Sequence, residues 1–238
     1  LVMRKYQPDY VPAQDYFRRL QSNRAQGALI AAAELSWTSP IEDIRTRFPK
    51  RDEASLANLL SVAQRAAAIR QPRIDRICQT LLEGEGDRQD LQSLRWRASY
   101  DLALGRALAS KVRTDGYKAM LAKAKQGMKF SGEKQNTWIV VAESEYANTS
   151  LERLADKALV YLQRVLDEHP DTPWALLARR EVKSPLGWRW KEGSTVLPPP
   201  RAGAVLFPGE RAVTQRDFVG ADAAFLEAAA TLRGYAPR

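Results

Sequence analysis

Length, composition and charge place the chain among ordinary globular proteins. It has 238 residues, of which 45% are hydrophobic and 27% charged, enough to bury a core without disulfide or metal support. Its one cysteine, Cys78, and one histidine, His169, exclude an intrachain disulfide and a zinc site built from three or four N or S ligands. Lys and Arg outnumber Asp and Glu by 37 to 28, giving a formal net charge of +9. Such a surplus favours nucleic acid, an anionic membrane or an acidic protein as a partner.

Neither a membrane-spanning helix nor a targeting segment is predicted. The most apolar run, 27–35, is far shorter than the roughly 18 residues that a membrane helix needs. The chain opens Leu1-Val2-Met3 without a signal-peptide pattern. Because leucine is not a natural initiating residue, we expect a region cut from a longer protein, and the localisation stays open.

Helix signals define the predicted elements in chain order. Ser39-Pro40-Ile41-Glu42 and Thr149-Ser150-Leu151-Glu152 are capping boxes, and Asp171-Thr172-Pro173 supplies a cap followed by proline. With the apolar spacing between them, these signals predict helices over 13–35, 53–70, 73–83, 89–112, 116–128, 150–168, 173–183 and 215–233. Pro72 is expected to end or kink the second helix, because it lacks an N–H donor and crowds the preceding turn.

One spacing pattern suggests how the helices are arranged. Ala158, Leu162, Val165 and Pro170 are typical of the second helix of a tetratricopeptide repeat, although ordinary helical hairpins explain the same spacing. The segment 137–141, rich in β-branched and aromatic residues, is the one good strand candidate or a short extended connector. The sequence therefore predicts an all-α fold of stacked antiparallel helix pairs, a tetratricopeptide-like α-superhelix with little or no β-structure.

The domain organisation is expected to have three parts. Residues 1–192 form the helical-hairpin domain, 193–214 a proline-rich linker, and 215–238 an amphipathic helix and tail. The apolar stripe of that helix consists of Phe218, Ala221, Phe225, Ala228 and Leu232. Such a stripe is stable when buried, so we expect it to fold back over the helical stack or to dock into a partner or a second copy. Phe218 and Phe225 are therefore candidate protein-binding residues.

Several longer segments resemble a known family. They are residues 3–10, 22–25 and 96–129, the run His169-Pro170-Asp171-Thr172-Pro173-Trp174 continuing to 178, and residues 185–188. This pattern resembles the region that follows the von Willebrand factor A domain in a family of bacterial proteins, over most of residues 3–192. The resemblance implies an accessory helical region of a larger interaction protein. The Asp-x-Ser-x-Ser metal motif of that A domain does not occur here, so metal-dependent adhesion is not implied.

The stretch from Arg95 to Lys134 has ten basic and three acidic residues. Its candidate anion-binding residues are Arg95, Arg97, Lys118, Lys123 and Lys125. Trp96 and Tyr100 could stack on bases, but they continue a helical stripe that a buried core face explains better. Nucleic-acid or anionic-surface binding is therefore the alternative interpretation.

No residue stands out as catalytic or metal-binding, and no cofactor is predicted. His169 precedes Pro170 at a predicted helix end, where a structural role as a cation at the negative helix terminus is expected. Trp188 and Trp190 alternate as in an extended segment, so they either cap the end of the stack or anchor a partner. The sequence predicts a non-enzymatic protein-interaction or scaffolding region of a larger bacterial multidomain protein.

Overall fold

The computed structural model describes residues 2–8, 10–36 and 44–197. Within them lie six α-helices, α1 Ala13–Ser22, α2 Arg24–Ser36, α3 Glu53–Glu83, α4 Leu94–Lys125, α5 Thr149–Glu168 and α6 Pro173–Lys183. The described elements also include three strands, β1 Arg47–Pro49, β2 Thr137–Glu143 and β3 Gly187–Gly193, and two 3₁₀ helices, Val2–Tyr6 and Glu85–Asp90. The capping box at 39–42, Phe218, Phe225 and most of the predicted linker lie outside the described residues.

The mainly helical character is confirmed, and successive helices run antiparallel. Lys111 of α4 contacts Asp75 of α3. Nearer the start of α4, the Tyr100 hydroxyl donates to the carbonyl of Leu81, which lies nearer the end of α3. An added Cβ at Gly105 of α4 would meet Leu162 of α5. None of the described helices combines the length and apolar character that crossing a bilayer requires.

Helix α4 is the centre of the molecule. Every residue from 98 to 109 is buried, because α5, α3 and α6 pack around it. The helix contributes to three apolar clusters: one with α2, α3 and α5, one with α3 and the sheet, and one with α5 and α6. A helix buried on all sides loses the one-sided apolar stripe from which its bounds are normally read.

Three predicted helix boundaries are wrong, one for a local reason and two because of packing between distant residues. The predicted helix 13–35 divides at Asn23, whose extended backbone ends α1 and whose side chain accepts from Gln26 N–H at 3.0 Å. Helix α3 continues through Pro72, which lies exposed while Gln71 beside it holds Asp115 of α4 at 3.0 Å. Helix α4 likewise continues through Gly116. Tertiary packing here outweighs the local helix-breaking preference.

The expectation of little or no β-structure is wrong in part, because the three strands form an antiparallel sheet of order β1-β2-β3. The register pairs Phe48 with Trp138 and Val140 with Trp190. The sequence favoured only β2, since β1 has three residues and β3 alternates tryptophan with charged residues. Both depend on pairing with residues distant in the chain, which local propensity does not report.

Candidate functional site

The basic stretch 95–134 is divided between buried ion pairs and an exposed end. Arg106 and Arg113 are buried on α4, and both bind the buried carboxylate of Glu181 on α6. Arg106 Nε lies 3.3 Å from Glu181 Oε2. These two cations hold α6 against α4 and are not available to a partner.

The five candidate anion-binding residues are not brought together. Arg95 lies with its guanidinium 5.7 Å from the centre of the Trp174 ring, and Arg97 Nε donates to the Leu91 carbonyl. Lys118 Nζ donates to the Gln71 side chain. Arg95 and Lys118 are 23 residues apart on one helix, hence separated by about 35 Å. Only Lys123 and Lys125 are fully exposed.

Those two lysines belong to an exposed basic group at the sheet end of the molecule. Lys123 and Lys125 lie in the last turn of α4, and Lys129 and Lys134 follow in the connection to β2. All four side chains are exposed. The anionic-surface interpretation is therefore confined to the last third of the predicted stretch.

Trp188 and Trp190 do lie in an extended segment and point to the same face of β3, toward α4. The Trp188 indole N–H donates to the Arg113 carbonyl at 2.8 Å, and its side chain packs against Gly116. The Trp190 indole N–H donates to the Met120 carbonyl at 3.2 Å. Trp188 is only 4% exposed, so its surface is used inside the chain to attach the sheet to α4.

A buried charged cluster joins the 3₁₀ helix Glu85–Asp90 to α4 and α5. Asp101 is fully buried, and Arg88 Nε donates to its Oδ1 at 3.0 Å. Arg88 also donates to Glu168 at 2.8 Å, and Arg164 Nη1 lies 3.5 Å from Asp101. The hydrogen bond to Asp101 raises the pKa of Arg88 further above its ordinary value. Two arginines thus offset two carboxylates.

The same cluster has the donor types of a cation site. Oxygens of Asp101 and Glu168 and a ring nitrogen of His169 lie within 4.8 Å of one another. The Arg88 guanidinium already bridges the two carboxylates, and a divalent cation would have to displace it. We therefore interpret the cluster as a structural ion-pair network.

His169 is a buried side chain, and burial disfavours the cation expected from the sequence. It ends α5, and its Nδ1 lies 2.9 Å from the Tyr6 hydroxyl, while Nε2 has no hydrogen-bond partner among the described residues. Burial lowers the pKa of His169, although Glu168 and Asp101 act in the opposite direction. Its role is to hold the N-terminal segment, because the Tyr6 ring also stacks on Trp174 at 5.4 Å.

Two further features, a cysteine and a crevice, do not form a reactive site. Cys78 is buried in the largest apolar cluster, as predicted, and burial raises the pKa of its thiol to about 12. A crevice between α4, the connection from β2 to α5, and β3 is bordered by Gly116 and Trp188 and leaves no room for a water molecule. Neither provides a reactive group in a substrate-sized space.

An exposed apolar surface lies at the N-terminal end. None of the residues of α1 is buried, although Tyr16, Phe17 and Leu20 share one side of the helix. Phe17 is 61% exposed and Tyr10 80%, and Val2 and Met3 are also exposed. Exposed large apolar side chains such as Phe17 are candidates for an interaction site. The sequence contains the helical spacing of Tyr16, Phe17 and Leu20, but α1 and α2 were predicted as one helix, so the separate apolar side of α1 was missed.

No protein-family model matches the chain, and neither the curated proteins nor the solved structures yield a match. The likeness to the region after the von Willebrand factor A domain therefore stays a prediction. The functional argument below depends on the surfaces of this chain alone.

Proposed function

We propose that the chain is a non-enzymatic protein-binding region, and that the N-terminal apolar surface around α1 is its partner site. The observation that carries this proposal is an amphipathic helix with no buried residue. Helix α1 contacts α2, which leaves Tyr16 and Leu20 half-buried and Phe17 exposed. A helix of ten residues is marginal in water by itself, so a second surface over Phe17 would stabilise it. Recognition would follow the helix-in-groove mode, with Phe17 as the central anchor.

The chemistry of the partner follows from the exposed cations on α1 and on the 3₁₀ helix that precedes it in the chain. Arg4 and Lys5 are exposed in the first 3₁₀ helix, and Arg18 is exposed on α1, where it pairs with Asp15 at 3.1 Å. An apolar groove with an acidic rim would match this surface. The antiparallel helix pairs support a tetratricopeptide-like scaffold, and the resemblance described above supports a place in a larger bacterial multidomain protein.

A photo-crosslinking amino acid at position 17 of the full-length protein in its own cells tests this. We expect one recurrent adduct that Arg18→Glu weakens, since Arg18 is exposed beside Phe17 on α1 and its reversal would repel an acidic rim. The matched control is the same probe at Val160, which is 55% exposed on α5. Equal adduct patterns from positions 17 and 160 would contradict the proposal.

Binding of a polyanion is the second candidate, supported by the four exposed lysines at the sheet end. If they bind phosphates, affinity falls steeply with salt because each contact releases counterions. Labelled single- and double-stranded DNA and RNA would be titrated at low and physiological salt. This function would be favoured by micromolar binding that survives physiological salt and is lost in Lys123→Glu/Lys125→Glu. The control variant Arg179→Glu/Arg180→Glu, at exposed positions of α6, should keep that binding.

A further inference from the structure

The two faces of the sheet differ in what covers them. Side chains alternate along each strand, and those of Phe48, Trp138, Val140, Trp188 and Trp190 belong to the apolar cluster shared with α3 and α4. The opposite side, here called the outer sheet face, consists of Arg47, Ile139, Val141, Arg189 and Lys191. Its cations are exposed and its two aliphatic residues are half-buried.

The strand register places two cations on either side of an aliphatic centre. Arg47 and Lys191 both pair with Ile139, from opposite neighbours of β2. Since adjacent strands lie about 4.8 Å apart, the two cations are separated by about 10 Å across Ile139. Val141 pairs with Arg189 in the next row of this face, where Arg189 lies near Glu143 and Glu145 at 3.7 and 3.4 Å. Arg47 and Lys191 form no ion pair with another described residue.

The chain turns onto this face as it leaves β3. Thr137 has the same strand parity as Ile139 and Val141, and its hydroxyl lies 2.8 Å from that of Thr195. Asn136 fixes Thr195 further, accepting from its N–H and donating to its carbonyl, both at 2.8 Å. Thr137 is fully buried beneath this contact, whereas Val196 is 96% exposed. The following segment therefore starts at the outer sheet face.

The sequence beyond Leu197 contains a matching surface. Residues 215–233 carry the apolar stripe that includes Phe218 and Phe225. At helical spacing, Asp217 and Asp222 flank this stripe, whereas Glu227 lies on the opposite face. Seventeen residues, 198–214, precede this segment, and at about 3.3 Å per extended residue they span far more than the width of three strands. A tether of this length keeps the local concentration of the segment high.

We propose that the outer sheet face is the docking surface of the chain's own segment 215–233. The apolar stripe lies over Ile139 and Val141, and Asp217 and Asp222, on either side of the stripe, face Arg47 and Lys191. This contact uses a different surface from α1 and is independent of the proposed partner site.

Cysteine pairs in the full-length protein test the placement. Val141→Cys combined with Phe225→Cys is expected to form an intrachain disulfide at least about tenfold faster than Val160→Cys with Phe225→Cys, because docking raises the effective concentration. Cys78 is buried with a raised pKa and stays out of the reaction. Moving the second cysteine to Ala223, off the apolar stripe, is expected to slow the reaction. Equal rates at positions 141 and 160 would overturn the proposal, as would an interchain disulfide, which would place the segment on a second copy.

Charge reversal provides an independent test. Hydrogen exchange in 215–233 is expected to accelerate in Arg47→Glu/Lys191→Glu and in Asp217→Lys/Asp222→Lys, and to slow again when both pairs are combined. Circular dichroism checks that each variant keeps its helix content. Exchange that none of these variants changes would show that the outer sheet face does not hold the segment.

Discussion

At the scale of single residues, two glycines of α4 set how closely its neighbours approach. A Cβ added to Gly105 would lie 2.8 Å from Leu162 Cγ and 3.2 Å from the Leu162 backbone nitrogen, so α5 would have to shift. A Cβ on Gly116 would lie 3.1 Å from Trp188 Cδ1. The absence of a side chain at these positions allows α5 and β3 to pack directly on the helix.

Gly105→Ala is therefore expected to destabilise the protein by about 1–3 kcal/mol through overpacking, despite a helix-propensity gain of about 1 kcal/mol. Urea denaturation measures the change. Gly86→Ala is the matched control, since a Cβ there meets nothing within 4 Å, and its unfolding midpoint should be nearly unchanged. Equal effects of the two substitutions would contradict the proposed close approach.

The ionisation of His169 makes stability depend on pH. Its folded-state pKa lies below its ordinary value, so the folded protein resists a proton that the unfolded chain accepts. Stability is fully present above the unfolded pKa of about 6.5 and is lost as the pH falls through the folded pKa. The charged and titratable groups facing the ring are Asp101, Glu168, Arg88, Arg97 and Tyr6.

Urea midpoints between pH 8 and pH 5 test this dependence. One proton contributes at most about 1.4 kcal/mol per pH unit, and His169→Gln should remove that contribution. We expect the wild-type protein to lose stability more steeply than the variant over this range. Parallel pH profiles for the two proteins would show that His169 does not titrate on unfolding.

At the scale of elements, a buried triad of charged side chains holds α6 against α4. Glu181 is its only anion, between Arg106 and Arg113. Removing the Glu181 carboxylate leaves the buried guanidinium groups of Arg106 and Arg113 without that partner. A buried charge that has lost its partner strongly destabilises the folded protein.

Glu181→Ala should lower the free energy of unfolding by about 3–5 kcal/mol, measured by urea denaturation. Asp156→Ala, at an exposed position of α5, is the control and should change it by less than about 0.5 kcal/mol. A Glu181→Ala protein as stable as the control would mean that the two arginines reach solvent.

Elements defined by local chemistry were predictable from the sequence, and those defined by distant contacts were not. The predicted helices 150–168 and 173–183 agree closely with α5 and α6. Thr172 caps α6 as predicted, whereas the residue that caps α5 is Asn148, one position before the predicted Thr149. The continuity of α4 was missed because Gly116 indicates a turn locally, whereas Trp188, seventy-two residues further on, packs against it.

The candidate surfaces show the same difference between features set by local sequence and features set by contacts between distant residues. Alternation of Trp188 and Trp190 correctly predicted an extended segment with both rings on one side, but their contact with α4 required the tertiary fold. The pairing of Arg47 and Lys191 with Ile139 depends on three segments distant in sequence. The ten basic residues counted between Arg95 and Lys134 include Arg106 and Arg113, which the structure buries.

At the scale of the whole molecule, α4 links all three apolar clusters. Leu104 belongs to the cluster with α2, α3 and α5, Leu121 to the cluster with α3 and the sheet, and Leu102 to the cluster with α5 and α6. A helix shared by every cluster cannot unfold at one end without uncovering apolar surface at the other. We therefore expect the described region to unfold as one cooperative unit, although its sheet and helical layers differ in architecture.

Leucine-to-alanine substitutions, one in each cluster, test this cooperativity. Leu104→Ala, Leu60→Ala and Leu162→Ala remove side chains that are almost fully buried and should each cost about 2–5 kcal/mol. If α4 couples the clusters, each variant shifts one common urea transition, with an unchanged dependence of the free energy on urea. Circular dichroism follows the helices. Tryptophan fluorescence reports Trp138, Trp188 and Trp190 of the sheet when the chain's other three tryptophans, Trp37, Trp96 and Trp174, are replaced by phenylalanine. Val160→Ala, at an exposed position, controls for the loss of a branched side chain. The decisive variant is Leu60→Ala, because it weakens the sheet cluster alone: a fluorescence midpoint well below its circular dichroism midpoint would show that the sheet end unfolds independently of the helical stack.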